Sequence, residues 1–494
     1  MYSYTKADLL AVAPSRQILV SFTNRIRLDF ANTWVSHVRA IGMSNYLIGA
    51  TDDAALAGLK KMHIQCFSMR TNLPQGEWPW GSPSFKSLGP HKIELIYNAL
   101  SWGFELVITD IDALVLREPF AYMSRWPDAS FLTTSDHLGN TTRDGGLESH
   151  NAIHTAFNIG YMFFRTSALP LISEWRKVIA EQPRSRWDQG EFNRLARTGW
   201  SPRSTAGLSD ARLFYSYKKE VIGGVLPLTL FCGGHNYFVS QLPQRAGVRP
   251  YSIHTTFQYG AAAGKRHRLR EAMVWEDPPE YYNPPSGLLT FAIGVPAELV
   301  APRGGMTTRG HIALVKHQLK QIRSALALAY ALGRKLILPP VVCGYDKAWY
   351  ALSSGSASRG VFPGAHAFAL PLRNCPYDHF LEPASLRPVE TVREYSFLSN
   401  PRTPSVVKES VSAVHVDEAR GEAEVSRLRA LTPKLLNVTN LAAVDVLRAG
   451  LLSGAQAAAF RAKFRYVAGS WCCAPSVDSK AGMPGSAFFN LLSA

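Results

Sequence analysis

The 494-residue sequence has no Gly-rich P-loop and no G-x-G-x-x-G after an apolar run, so neither phosphoryl transfer nor nicotinamide chemistry finds support in it. Nothing in it reads as a serine-nucleophile elbow. No stretch of about 18 uncharged apolar residues occurs, and Met1 to Asp8 carries no basic n-region followed by an apolar h-region. The sequence reads as a soluble chain or as one whose anchor has been left out. Cysteine is scarce: Cys66, Cys232, Cys343, Cys375, Cys472 and Cys473 are too scattered for a metal knuckle or a disulfide framework, and they do not fix the redox compartment. No block of about five or six like charges marks a basic tail, and the aromatic-basic fingerprints of RNA binders are missing. No nucleic-acid partner is therefore expected, despite a net charge of +16.

What is present is the composition of a chain that folds: 46% hydrophobic, 18% charged and 11% aromatic residues. At roughly 150 residues per domain the length predicts about three domains, ample for a core without staples. The charge excess is spread, +6 up to Pro285 and +10 beyond it, which argues for anionic ligands or surfaces. Sequons at Asn140 and Asn437 would take glycans only in a secretory lumen.

Apolar runs at 17–22 and 46–50 read as buried strands, with a helix over 30–41 between them, which is the opening of a parallel α/β sheet. Pro90 suits the first turn of a helix with Ile93, Ile96, Tyr97 and Leu100 on its apolar face and Gly103 at its close. A strand over 104–109 follows, then strand-like pieces at 130–134 and 159–164 and a helix over 169–180. Pro278-Pro279 and Pro284-Pro285 mark a domain boundary, giving domains 1–284 and 285–494. Beyond it a strand candidate spans 288–295. The strongest helix covers 311–332, with Gly333 as its C-terminal cap, and a strand over 335–340 is stopped by prolines.

Asp110-Ile111-Asp112 stands at the end of a buried strand, where open α/β sheets bind ligands. A strand's period of two sends both carboxylates to one side and Ile111 to the core. Paired hard oxygen donors suit Mg²⁺ or Mn²⁺, which in turn grip a diphosphate. His254 offers an imidazole as third ligand, or is a satisfied structural histidine. Ala261 to Gly264 read as a small-residue loop closing on Lys265 and Arg266, either a phosphate cradle or the start of a solvated face. Asn158-Ile159-Gly160 and Asp188-Gln189 place more polar groups at the ends of apolar runs, with Asp188 either catalytic or a helix N-cap.

Leu106 to Phe120, containing Asp110 and Asp112, together with Phe157-Asn158-Ile159-Gly160 and the stretch from His254 to Asn283, resembles the nucleotide-diphospho-sugar transferase domain of glycosyltransferase family 77. The last of these stretches is most similar to the plant and green-algal extensin arabinosyltransferase branch. The resemblance implies an α/β fold of GT-A type, Rossmann-like with a mixed central sheet, in residues 1–284, and a smaller α/β region in 285–494 that binds acceptor or supports the first. It implies a UDP-sugar donor, Mn²⁺ or Mg²⁺, and transfer with retention to hydroxyproline-rich cell-wall glycoproteins, L-arabinofuranose being the sugar of first choice. Carried over by position, Asp110, Asp112 and His254 would hold the metal, and Thr23 and Asn24 the uridine. Lys265 would contact the diphosphate, Lys92 either diphosphate or sugar. Asn158, Gly160 and Asp110 belong to the donor site, while Asp188 and Gln189 would face the transferred sugar as the catalytic pair. Such enzymes usually have an N-terminal anchor and work in the Golgi lumen. The competing readings are a transferase of UDP-galactose or UDP-xylose, and a sugar-nucleotide or glycan-binding module without turnover.

Overall fold

The computed structural model describes residues 4–493 apart from 74–75, 79–80, 184, 201–204, 206, 348–369, 388 and 475–484. The chain forms two compact units, Met1–Thr256 and Phe257–Ala494.

The first unit is organised by an eight-stranded sheet. Its strands are β1 (Gln17–Thr23), β2 (Tyr46–Ala50), β3 (Cys66–Ser68), β4 (Glu105–Thr109), β6 (Phe131–Ser135), β7 (Phe157–Phe164), β8 (Phe214–Ser216) and β9 (Val221–Val225), in the order β3-β2-β1-β4-β7-β6-β9-β8. β1, β2, β3 and β4 run parallel, as the strand–helix–strand opening predicts, while β7 is antiparallel to β4 and to β6. The result is the mixed central sheet expected of a GT-A type fold. β5 (Ala113–Val115), β10 (Phe231–Gly233) and β11 (Ser252–His254) make a small second sheet in the order β10-β11-β5.

Near-continuous apolar strands such as Ile18-Leu19-Val20 and Leu106-Val107-Ile108 are buried on both faces, as helix-covered parallel strands require. Three helices do much of the covering: α1 (Leu28–Ala40), α2 (Gly89–Ser101) and α3 (Leu169–Glu181). Pro90 sits in the first turn of α2, and Gly103 just past its end takes φ +85°, a conformation that costs glycine little. A fourth helix, α4 (Asp188–Ala196), brings two further side chains to the site.

In the second unit, β12 (Leu288–Phe291), β13 (Lys335–Ile337), β16 (Val392–Arg393), β17 (Val411–Val414) and β18 (Leu435–Val438) form an all-parallel sheet in the order β16-β13-β12-β18-β17. Two of these strands end earlier than their apolar runs suggest, at Phe291 and Ile337. The long helix α6 (Thr308–Leu332) starts where the Thr307 hydroxyl accepts the Gly310 N–H and ends on Gly333 at φ +71°. Asn437 lies inside β18 between Thr290 and Ala413, so a glycan there would have to open a sheet, whereas Asn140 follows β6 on a loop.

The units divide at Thr256, ahead of the prolines at 278–285. The intervening residues are held inside the second unit by side chains rather than by local sequence. Arg268, on helix α5 (Ala261–Glu271), pairs with Asp378, Tyr281 Oη donates to Glu394 and Arg393 Nε donates to the Tyr281 carbonyl. Ala261 to Gly264 are the first turn of α5, not a loop: Gly260 at φ +81° starts the helix and its carbonyl accepts the Gly264 N–H.

A disulfide joins Cys343 to Cys375, beside the short antiparallel pair β14 (Val342–Cys343) and β15 (Leu372–Arg373). Scatter along the chain does not preclude this bond, because strand pairing carries the two residues together across 32 positions. Closing a loop of that length restricts the unfolded chain by about 3–4 kcal/mol. The double variant Cys343→Ser/Cys375→Ser is expected to lose about that much stability, read as a shift of its urea unfolding transition against the oxidised protein.

Candidate functional site

The acidic triplet is a turn. β4 stops at Thr109, the Ala113 N–H closes on the Asp110 carbonyl at 3.0 Å, and β5 begins. Strand alternation is therefore not what brings the two carboxylates together. The tight reversal does it, with Ile111 buried beneath. β5 lies antiparallel to β11 with Ala113 opposite His254, which delivers the imidazole to the same turn. His254 Nε2 is 3.8 Å from Asp110 Oδ2 and 3.7 Å from Asp112 Oδ1. One ligand atom from each of the three residues lies within 4.8 Å of the others. Two carboxylate oxygens and an imidazole nitrogen so arranged fit a divalent ion of the Mn²⁺ type.

Each donor is held. Asp112 Oδ2 accepts from Thr255 Oγ1 at 2.9 Å, and its carbonyl from the Thr255 N–H. Asp110 Oδ1 takes the Lys92 ammonium at 2.8 Å, and Lys92, buried on α2, also donates to the Ile159 carbonyl at 2.7 Å. β7 bulges at that point: the β6–β7 register jumps between Thr133 and Thr134, leaving Ile159, Gly160 and Tyr161 without a β6 partner. Lys92 thus ties the bulge to the acidic turn.

Gly160 has a steric role. A Cβ at this position would overlap the His254 imidazole, so only glycine leaves the ring its place. Gly160→Ala is expected to displace the imidazole and to lower Mn²⁺ affinity by at least about tenfold, measured by calorimetry.

Asn158 Nδ2 donates to Asp136 Oδ1 at 2.9 Å, while its own Oδ1 accepts the Gly160 N–H. Gln189 Nε2 reaches the other Asp136 oxygen at 3.3 Å. Asp136 was absent from the sequence-derived candidates, yet it joins Asn158 and Gln189. It is a single acid at the end of β6, and that strand-end position is the only local signal it offers. Burial pushes its carboxyl above the usual range, opposed by Asn158, His254 and Gln189.

Asp188 opens α4 as its first residue, and its carboxylate accepts the Gln189 N–H at 2.9 Å. Its side chain lies so close to α2 that a Cβ on Gly89 would come within 2.9 Å of it. Surrounding protein pushes the Asp188 carboxyl up, and the nearby Lys92 charge pulls it down.

Thr23 and Asn24 are buried at the end of β1. Asn24 Nδ2 donates to the Gly76 carbonyl at 3.1 Å, while its Oδ1 is buried with no hydrogen-bond partner among the described residues. Lys265 lies in the first half of α5, in the second unit.

Residues 41–269 match the family model of the nucleotide-diphospho-sugar transferases. Over 402 residues the chain is 40% identical to Arabinosyltransferase XEG113 of Arabidopsis thaliana, a match that covers 80% of this chain and 61% of that protein. Arabinosyltransferase RRA2 of the same plant is 24% identical over 195 residues, 37% of this chain and 45% of its own. The chain therefore spans less than two thirds of the length of these curated relatives. Among solved structures, mouse xyloside xylosyltransferase 1 in its apo form aligns over 49% of this chain and 98% of its own, with 13% identity and a TM-score of 0.28.

Proposed function

We propose, on the match of residues 41–269 to the family model of the nucleotide-diphospho-sugar transferases, that the chain is a member of that family and a retaining, metal-dependent glycosyltransferase. Its donor is a UDP-sugar, with L-arabinofuranose as the transferred group, and its acceptor is the glycan of hydroxyproline-rich cell-wall glycoproteins. The observation that carries the reading is the convergence of Asp110, Asp112 and His254 in a chain 40% identical to an arabinosyltransferase.

The roles follow from charge and reach. Asp110, Asp112 and His254 hold Mn²⁺ or Mg²⁺. Bound there, the ion supplies Lewis-acid neutralisation of the diphosphate as negative charge grows on the leaving group. Lys92 keeps the Asp110 carboxylate aimed by occupying its other oxygen. The unpartnered Asn24 Oδ1 suits an N–H donor such as the uracil imide, because a buried acceptor without a partner is costly. Asp188 and Gln189 face the sugar, where a carboxylate or amide oxygen stabilises the oxocarbenium-like carbon. Asp136 belongs with this pair through its bond to Gln189.

Golgi placement is supported by the Cys343–Cys375 disulfide, a bond typical of oxidising lumens. Among the described residues no helix is long and apolar enough to cross a membrane.

The test is UDP release in the presence of Mn²⁺ from UDP-arabinofuranose, UDP-galactose and UDP-xylose, each with and without a hydroxyproline-rich peptide carrying short arabinosides. Acceptor-stimulated release from the arabinofuranosyl donor alone supports the assignment. Stimulation by a different donor replaces the sugar, and UDP binding without release replaces the enzyme by a binding module.

A further inference from the structure

Ile159 and Gly160 have no strand partner on either side. β4 pairs with β7 from Tyr161, opposite Thr109, to Phe164, and β6 skips both residues. Their backbone groups must therefore be satisfied outside the sheet ladder. The two carbonyls lead to the acidic turn: that of Ile159 accepts from Lys92 Nζ at 2.7 Å, and that of Gly160 from the Asp110 N–H at 2.9 Å. The two N–H groups go the other way. That of Ile159 donates to Gln189 Oε1 at 3.4 Å and that of Gly160 to Asn158 Oδ1 at 2.8 Å.

A primary amide presents an oxygen on one side and an NH₂ on the other, and turned over it presents the reverse. Asn158 and Gln189 can each serve a bulge N–H only with the oxygen forward, so both NH₂ groups need an acceptor behind. They share one. Asn158 Nδ2 donates to Asp136 Oδ1 at 2.9 Å and Gln189 Nε2 to Asp136 Oδ2 at 3.3 Å. An ionised carboxylate accepts at both oxygens and donates at neither, so it selects one orientation in both amides at once. We propose that Asp136 is a positioning residue for the metal site, setting two amides whose oxygens hold the β7 bulge in the shape the metal ligands need. This rests on the metal-dependent transferase reading above and adds to it a residue that acts through others.

The bulge bears on the ligands in two places. The Ile159 carbonyl anchors the Lys92 ammonium, which stands 2.8 Å from Asp110 Oδ1. Gly160 lies so close against the His254 imidazole that no Cβ fits between them. A small shift of the bulge therefore moves an ammonium and an imidazole together. β6 closes the remaining side, its Thr133 and Thr134 hydroxyls donating to the Asn158 carbonyl at 3.2 and 3.1 Å, and Asp136 follows the same strand by one residue.

The experiment uses the full chain with Mn²⁺ alone as the probe, titrated by calorimetry, and follows hydrogen exchange of the 157–161 segment in parallel. It compares wild type, Asp136→Asn and the swap Asp136→Asn/Asn158→Asp. In Asp136→Asn a single oxygen faces two amide donors, so one amide loses its acceptor. Mn²⁺ affinity is expected to fall about tenfold and the Ile159 and Gly160 amides to exchange faster, with far-UV circular dichroism at wild type. The swap moves the acid across one hydrogen bond and keeps the charge. The carboxamide at 136 then donates to the acid at 158 and accepts from Gln189, while that acid accepts the Gly160 N–H, so affinity and protection should return most of the way. Wild-type Mn²⁺ affinity in Asp136→Asn overturns the proposal, and so does affinity lost without faster exchange in 157–161. A swap as weak as the single variant overturns it too, giving the carboxylate a direct role instead. A wild-type chain that shows these differences in Mn²⁺ binding but transfers sugar from none of the three UDP donors removes the transferase reading and leaves the positioning role standing.

Discussion

Replacing Asp112 by asparagine is expected to leave a folded chain that has lost metal-supported turnover. Asparagine keeps the volume and still offers an oxygen to the Thr255 hydroxyl, now 2.9 Å from Asp112 Oδ2, so the turn between β4 and β5 stays closed. What goes is one of two anionic donors beside His254. Binding of a divalent ion by so small a set depends on charge more than on shape, and losing a ligand should cost at least about a hundredfold in Mn²⁺-dependent UDP release. Far-UV circular dichroism and the urea midpoint should match wild type. Turnover unchanged in Asp112→Asn would remove the metal from the mechanism.

The second large effect is expected far along the sequence, in Asp378→Ala. This carboxylate is buried, and it accepts from Arg268 Nε at 2.9 Å and Nη2 at 2.8 Å and from the Tyr259 N–H at 2.8 Å. His379, itself 2.7 Å from Asp346, stands 3.4 Å from the same Asp378 oxygen that Arg268 holds. Removing it takes a counter-charge from a guanidinium of zero exposure, and such losses cost about 3–5 kcal/mol. Burial by itself would raise the Asp378 pKa, but the Arg268 charge and His379 outweigh it and hold the carboxyl well below the usual range. Its pKa in the folded chain is therefore lower than in the unfolded one. In the window between the two the unfolded chain binds more protons, so stability rises with pH. The contribution is whole above the ordinary carboxylate range, about pH 4, and drains as pH falls below it. Urea unfolding should accordingly show a steeper acid loss for wild type than for Asp378→Asn, and a fall of several kcal/mol for Asp378→Ala at neutral pH.

The alternation of apolar runs and helical periodicity in 17–181 was legible because it is local. Ile18 to Phe22, Leu106 to Ile108 and the helix after Pro90 announce themselves within a few residues of chain. The metal-type trio was legible by residue chemistry, since acids in a pair and a histidine at a strand end are few. The reason given for its geometry was not, because a strand and a tight turn both put Asp110 and Asp112 on one side, and only the hydrogen bond from the Ala113 N–H to the Asp110 carbonyl tells them apart. Asp136 is a lone acid whose partners Asn158 and Gln189 are 22 and 53 residues away. The boundary between units escaped for the same reason. Prolines break local structure, but Arg268 and Asp378, 110 positions apart, decide which unit keeps the helix. The disulfide likewise depends on a strand pairing that no spacing rule reveals.

The bare backbone at Gly160 also makes the site readable by eye in other chains of this kind. A side chain at the equivalent position and a metal-facing histidine exclude one another, because both claim the same volume. Loss of the imidazole from beside the acidic pair therefore has a one-step route there, by the gain of a single methyl group that disturbs no charge and leaves both acids in place. A chain with alanine at that position would keep its acidic pair on paper and lose the room for the imidazole beside it.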